Sequence, residues 1–348
     1  MTPNALCAGT AALLAAASLS LTPSGQPSPA AKLPGELGDY IVTHVKLAPA
    51  DQERLLRGEP VTKMLDAEAS KEVAIFGAVW IKAPVTRYVA EVKDIEQFEK
   101  GGNFLVTKRI SNPPRLDDFT QLTLSPDDVA DLKSCKVGSC DLKLGEAALV
   151  RMRKEVDWSK PNAEADVERL ARQLALEYVN GYLQGGNQEL ATYRDSSRPT
   201  FVAQEFSTMV EHMPALTVYL PELKRYLLDY PKVTLPNSDS FLYWQEASFG
   251  LKPTIRINHF TVVDQSPNVA VVSKMLYATH YFWTAIELRV LVPDLSRGEG
   301  FWFASVSQSR SDGLSGFTGS LIRGKVRGEA EKGMLAVLRA TKARLEKP

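Results

Sequence analysis

The stretch that decides the fold of this chain begins with PTIRINHFTVV at residues 253–263 and continues, after a short turn, with VAVVSKMLYAT at residues 269–279. In both segments β-branched and aromatic residues alternate between two faces, which is typical of β-strands. The intervening DQSPN contains Asp, Pro and Asn, which favour a tight turn. Two strands joined by so short a turn run antiparallel, so the sequence predicts a hairpin.

The extended pattern continues beyond this hairpin. Residues 280–292 are again apolar and aromatic, so 269–292 is either one bent strand or two strands with a tight corner. Residues 293–300 contain Pro, Asp and Gly and predict a turn, and residues 301–309 alternate as a further strand. The sequence therefore predicts an antiparallel meander that starts near residue 239.

A helical pattern replaces the strands after Gly319. Apolar residues recur every four positions, which predicts a long C-terminal helix with one buried stripe. The stripe comprises Ile322, Val326, Ala330, Met334 and Leu338. The opposite side is basic, with Arg323, Lys325, Arg327, Lys332, Arg339, Lys342 and Arg344. Such a face is either a solvated surface or a peripheral contact with an anionic membrane or partner.

The part of the chain before the meander divides into three regions. Residues 73–82 and 104–110 predict strands, and residues 85–98 between them predict an amphipathic helix. From about 114 to 230 helical patterns dominate, separated by prolines. Residues 31–70 are mixed and form an N-terminal extension ahead of the first strong strand.

The first residues of the chain resemble a targeting segment. Residues 8–21 (AGTAALLAAASLSL) are apolar and small, and they are too few to span a bilayer. A Pro- and Ser-rich stretch follows, as after the apolar core of a signal peptide. We therefore expect a signal peptide at about residues 1–30 and an exported protein, periplasmic or secreted. The alternative is a structureless cytoplasmic N-terminus.

Two cysteines, Cys135 and Cys140, remain after the predicted cleavage and enclose a short turn-like loop. In an exported protein such a pair predicts a disulfide, and the alternative is two free thiols. A redox role would favour the tighter Cys-x-x-Cys spacing. A metal site is not expected, because no second cysteine or histidine pair follows.

The order of elements resembles a known superfamily. A strand, a helix that opens with APV at 83–85 and VKDI at 92–95, and a second strand precede the meander and the terminal helix. This order is similar to the helix-grip fold of the START-like lipid-binding superfamily. The resemblance implies an α+β fold in which a curved antiparallel sheet grips the C-terminal helix and leaves an apolar cavity between them. Residues 114–230 would then be a large helical insertion.

No motif in the sequence identifies a reaction. The chain has no Walker loop, dinucleotide fingerprint, His-Glu-x-x-His motif or nucleophile elbow. Its 41 basic and 41 acidic side chains balance, so nothing indicates nucleic-acid binding. We assign no catalytic residue, metal or cofactor from the sequence.

Aromatic and polar-tipped residues nevertheless concentrate in the meander. They are either core residues or the wall of a ligand pocket with a few polar anchors, which is the usual composition of small-molecule sites. The candidates for ligand binding are Trp244, His259, Tyr277, His280, Tyr281 and Trp283.

Three functional hypotheses follow. The first is an exported protein that binds or shuttles an apolar, lipid-like molecule between the sheet and the C-terminal helix. The second is an envelope docking protein with a filled core, in which the helical insertion contacts a partner. The third is a cyclase- or hydrolase-type enzyme that uses His259 or His280 as acid or base.

Overall fold

The structure, a computed structural model, describes residues 32–161, 163–248, 252–312, 314 and 316–347, with the backbone only at 316–322. The segment expected to be a signal peptide, residues 1–30, lies outside the described residues. The described part of the chain contains no helix that is long and apolar enough to cross a membrane.

Helices and strands alternate in blocks along the chain. The strands are β1 (Val61–Met64), β2 (Glu72–Ile81), β3 (Phe104–Arg109), β4 (Thr192–Tyr193), β5 (Thr200–Phe201), β6 (Ser238–Ala247), β7 (Thr254–Gln265), β8 (Asn268–Ala278), β9 (Phe282–Pro293) and β10 (Phe301–Ser311). The α-helices are α1 (Gly35–Tyr40), α2 (Pro49–Leu56), α3 (Val85–Lys93), α4 (Ile95–Phe98), α5 (Pro126–Ser134), α6 (Glu146–Glu155), α7 (Ala163–Gly185), α8 (Val202–Glu211), α9 (Pro221–Asp229) and α10 (Gly316–Leu345).

Eight of these strands form one antiparallel sheet in the order β1-β2-β10-β9-β8-β7-β6-β3. The predicted meander is therefore confirmed, and so is the α+β fold with a C-terminal helix. Residues 269–292 form two strands, β8 and β9, whose corner lies where Tyr281 adopts a φ of 61°. The two N-terminal strands flank the meander because β2 pairs with β10 and β3 pairs with β6.

One face of the sheet is covered by α3, α4 and α10. Tyr88 of α3 contacts the rings of Phe301 and Phe303 on β10. Met334 and Leu338 of α10 are buried against this face, and Val326 and Ala330 are half-buried, as the apolar stripe predicts. The side chain of Ile322 lies outside the described residues.

Close contact between α10 and β2 explains a glycine in the middle of a strand. A Cβ atom at Gly77 would lie 2.6 Å from Cγ of Met334 and 3.0 Å from a methyl of Leu338. Glycine normally weakens a strand interior, and it is tolerated where another element approaches closely. Gly77 is therefore the position at which α10 touches the backbone of the sheet.

The opposite face of the sheet is covered by the remaining helices. Helices α1, α2, α8 and α9 cover β2 and the β8–β10 region, with Phe76 and Trp302 in that core. Helices α5, α6 and α7 cover the ends of β6, β7 and β8, with Trp244 in a second core. The sheet thus lies between two helical layers.

A buried arginine connects three of these elements. Arg310 of β10 is 2% exposed, and its guanidinium donates to the carboxylates of Glu72, Glu205 and Glu68. The distances to Glu205 and Glu68 are 2.6 Å and 2.9 Å. Because Glu72 belongs to β2 and Glu205 to α8, this network fixes α8 against the sheet.

The predicted pairing of Cys135 with Cys140 is present as a disulfide with a Cα–Cα distance of 4.5 Å. The loop that it closes packs on residues 194–195: the amide of Gly138 donates to the carbonyl of Arg194 at 2.7 Å, and that of Cys140 to Asp195 at 2.9 Å. The disulfide therefore closes a loop at the end of α5, and backbone hydrogen bonds attach this loop to the segment after β4.

The contact between α10 and β2 can be tested with a double-mutant cycle. Gly77→Ala is expected to destabilise the protein by about 1–3 kcal/mol, since the added methyl group overpacks against Met334. In a Met334→Ala background the same change should cost measurably less, because the truncated side chain leaves space. Urea denaturation of the four proteins measures this coupling. Strictly additive effects would show that the two residues do not touch.

The disulfide gives a second prediction. It closes a loop with a sequence separation of 5. Replacing both cysteines by serine should therefore lower the free energy of unfolding by about 2 kcal/mol in the loop-entropy treatment. Thiol titration of the denatured, unreduced protein after export is the direct check, and two reactive thiols there would refute the pairing.

Candidate functional site

A cavity of about 320 Å³ lies between helices α5–α7 and strands β7 and β8. Its wall is mostly aliphatic, with Leu122, Leu124, Leu132, Leu142, Leu144, Met152, Leu174, Ile255 and Ile257. The helices present small side chains to it, with Gly145, Ala147, Ala148, Ala171, Ala175 and Gly181. Ala171 and Ala175 are four residues apart and so share one face of α7. These small residues leave unfilled the space between the helices and the sheet.

The polar atoms in the wall are engaged with the protein backbone. The hydroxyl of Tyr178 donates to the carbonyl of Leu276 at 2.7 Å, and that of Tyr277 to Lys143 at 2.8 Å. Burial raises the pKa of both phenols well above the ordinary value, so they stay neutral. The interior of the cavity is therefore uncharged, and its two lining carboxylates, Glu177 and Glu189, belong to exposed residues.

Beside this cavity lies a buried network centred on His259. Its Nδ1 is 2.9 Å from the hydroxyl of Tyr182 and its Nε2 is 3.3 Å from that of Tyr226. Burial, reinforced by the nearby Lys274, lowers the pKa of His259 to about 3. The imidazole is therefore neutral at ordinary pH, with one nitrogen as donor and the other as acceptor.

Lys274 of β8 is the most unusual member of this network because it is fully buried without a carboxylate partner among its described contacts. Its Nζ donates to Asn187 Oδ1, to the carbonyl of Leu227 at 3.2 Å and to the hydroxyl of Tyr182 at 3.4 Å. It also lies 4.4 Å from the centre of the Phe206 ring. Burial lowers the pKa of this amine to about 7.

The second meander histidine, His280, pairs with a carboxylate from the helical insertion. Its Nε2 is 3.1 Å from Oδ1 of Asp128, and its Nδ1 is 3.2 Å from the carbonyl oxygen of Asp141. His280 and Asp128 are 3% and 4% exposed, so the pair is shielded from water. Asp128 also lies in the first turn of α5, where the hydroxyl of Ser125 accepts from its amide.

The structure separates the six residues that the sequence groups into one pocket. Tyr277 lines the cavity, whereas Trp244, His259, His280, Tyr281 and Trp283 do not belong to its wall. Trp244 is 1% exposed, and its indole donates to the carbonyl of Asp118 at 2.8 Å. The hydroxyl of Tyr281 accepts from the amide of Lys252, and Trp283 packs half-buried on the core beneath α5–α7.

The first hypothesis places these candidate residues between the sheet and the C-terminal helix, and the structure places them elsewhere. Trp244, Tyr277 and their neighbours belong to the core beneath α5–α7, on the face of the sheet that α10 does not cover. The alternation along a strand fixes which residues share a face, but not which helices cover it. The helical insertion covers this face.

Other buried polar residues escaped the sequence analysis. Directly after α4, the carboxylate of Glu99 accepts from the amide of Gln245, whose oxygen in turn accepts from Arg256. Burial and the nearby carboxylate of Glu287 raise the pKa of Glu99 to about 7. Glu99, Lys274 and Asp128 lie in segments of ordinary composition, so no local pattern marks these charged residues as buried.

Comparisons with models of protein families, with curated proteins and with solved structures found no match. The geometry of the described residues is therefore the basis for a functional proposal.

The buried amine predicts a pH dependence of stability. The pKa of Lys274 falls from the ordinary 10.5 of a lysine amine to about 7 in the folded protein. Between about pH 7 and pH 10 the unfolded chain then holds a proton that the folded chain lacks, so stability rises with pH. The slope of the free energy of unfolding against pH should be steeper in the wild type than in the Lys274→Met variant by up to ~1.4 kcal/mol per pH unit. Urea denaturation across this range compares the two proteins, and identical slopes would contradict the assignment.

Proposed function

We propose that the protein binds an apolar, lipid-like small molecule in the cavity between α5–α7 and the sheet. The observation that carries this proposal is an aliphatic cavity of about 320 Å³ with an uncharged interior. Small-molecule sites occupy about 300–1,000 Å³ and are lined mainly by apolar side chains, so this cavity is at the lower end of the range.

The chemistry of the wall favours recognition by shape. The hydroxyls of Tyr178 and Tyr277 already donate to backbone carbonyls, so few donors remain for a ligand. Burial of apolar surface contributes about 25 cal/mol per Å² and has no directional requirement. We therefore propose a compact hydrocarbon or short acyl chain as the bound group, with a polar end directed toward the exposed Glu177 and Glu189 side.

Export and a START-like relationship remain part of this proposal. The disulfide supports export, because such bonds persist mainly in oxidising compartments. The order of elements and the burial of Met334 and Leu338 of α10 against the sheet support a helix-grip arrangement. The cavity would then differ from the family's, since it lies beneath the insertion.

The basic side of α10 supports a peripheral membrane contact only in part. Lys342 donates to the carbonyl of Trp80 and Arg344 to that of Phe98, so both also have structural contacts. Lys325, Arg327 and Arg339 are exposed and could face an anionic surface.

The enzyme hypothesis has weaker support. Both ring nitrogens of His259 and both of His280 already have hydrogen-bond partners within the protein. The docking hypothesis draws on Phe201 and Val218, which are 53% and 58% exposed. Neither of these two exposed side chains requires a partner, because single exposed apolar residues are common on protein surfaces.

The proposal can be tested by filling the cavity. Ala175→Leu adds bulk to the wall, so it should weaken binding of an apolar probe such as decanol by about tenfold or more, equivalent to about 1.4 kcal/mol. The melting temperature should change little. Ala340→Leu, at an exposed position of α10, is the matched control and should bind as the wild type does. Calorimetry measures both affinities.

Mass spectrometry of the purified protein provides an independent readout. Native spectra of the wild type should contain a bound apolar molecule that Ala175→Leu lacks. If wild type and Ala175→Leu bind decanol equally, or if neither binds it, the cavity is not a ligand site.

A further inference from the structure

A second cleft lies on the same face of the sheet as the cavity beneath α5–α7, at the other end of that face. It has a volume of about 360 Å³ and is formed by α1, the π-helical turn Ala215–Tyr219 and strands β9 and β10. It shares no lining residue with the cavity beneath α5–α7. The floor is aliphatic, with Leu288, Val290, Val292, Ala304 and Val306.

Aromatic rings form one end of this cleft. The rings of Tyr40 and Tyr219 have centroids 5.6 Å apart and planes at 88°, so they make a corner. Phe76 of β2 extends the aromatic surface, with its centroid 6.0 Å from that of Tyr40. The face of an aromatic ring that lines a pocket attracts a cation.

Glu36 supplies the charge among the described lining residues of the cleft, which include no Lys, Arg or His. The imidazole of His44 lies behind the corner, with its ring centroid 5.8 Å from those of Tyr40 and Tyr219. Burial raises the pKa of the Tyr219 phenol, and the nearby carboxylates of Asp39 and Glu36 raise it further. The carboxylates of Glu36 and Asp39 therefore favour a cation over an anion beside Tyr219.

We propose that this cleft binds a small organic cation with an apolar body, such as an alkylammonium, whose charged group lies against Tyr40 and Tyr219 and whose alkyl part lies over β9 and β10. An apolar floor requires a ligand with hydrocarbon to bury, and a strongly hydrated inorganic ion would lose its water without replacement. An alkylated ammonium satisfies both requirements because its charge is weakly hydrated and spread over methyl groups.

The test compares ligands that differ in the sign of their charge. Isothermal titration calorimetry with hexyltrimethylammonium and with hexyl sulfate uses the same alkyl chain. The cation should bind about tenfold or more tightly than the anion, given the usual strength of cation–π and ion contacts. Equal affinities, or no binding of the cation, would overturn the proposal.

Substitutions identify the side chains that bind the cation. Tyr219→Leu should weaken cation binding about fivefold or more, whereas Tyr219→Phe keeps the ring face and should retain most of it. Glu36→Gln should weaken binding severalfold, and Glu331→Gln, an exposed carboxylate on α10, is the charge-matched control. Tyr219→Leu with wild-type affinity would rule out the aromatic corner.

Ala175→Leu, which fills the other cavity, should leave cation binding unchanged, so this proposal and the proposed function fail separately.

Discussion

Both faces of the eight-stranded sheet carry apolar side chains, and the need to remove both from water governs the rest of the structure. Phe260 and Phe303 project from one face, whereas Phe76 and Trp302 project from the other. A sheet of this kind is stable only between two layers. Helices α3, α4 and α10 form one layer, and the N-terminal extension together with the helical insertion forms the other.

The two layers differ in how completely they fill the space above the sheet. Between the sheet and helices α3 and α10, the large side chains of Tyr88, Met334, Phe301 and Phe303 fill the space. Beneath α6 and α7, alanines and glycines face leucines and isoleucines, and a cavity results. Protein interiors normally close such voids, because each one forfeits dispersion contacts. The proposed ligand site rests on this difference in packing between the two layers.

Buried polar groups connect the insertion to the sheet. Arg310 holds α8 through Glu205, and Lys143 pairs with Asp195 at 3.0 Å and with Asp312 at 2.6 Å. Lys274 instead relies on neutral acceptors and aromatic rings. Removing one partner of such a pair leaves a charge that is desolvated and unpaired, which costs several kcal/mol. These contacts fix the helical layer in one position and so define the shape of both clefts.

The sequence by itself determined the elements and the sides of the strands, because these depend on local periodicity. The alternation in 253–263 and the four-residue repeat that contains Met334 and Leu338 identified the meander and the C-terminal helix, and the spacing of Cys135 and Cys140 identified the disulfide. Only the tertiary structure decided which layer covers which face. It placed Tyr277 in a cavity wall and Trp244 in a packed core, and it brought Asp128 to His280. These contacts join residues more than 100 positions apart in several cases, as for His280 with Asp128. Such pairs depend on how the helices pack on the sheet, and no local pattern encodes that packing.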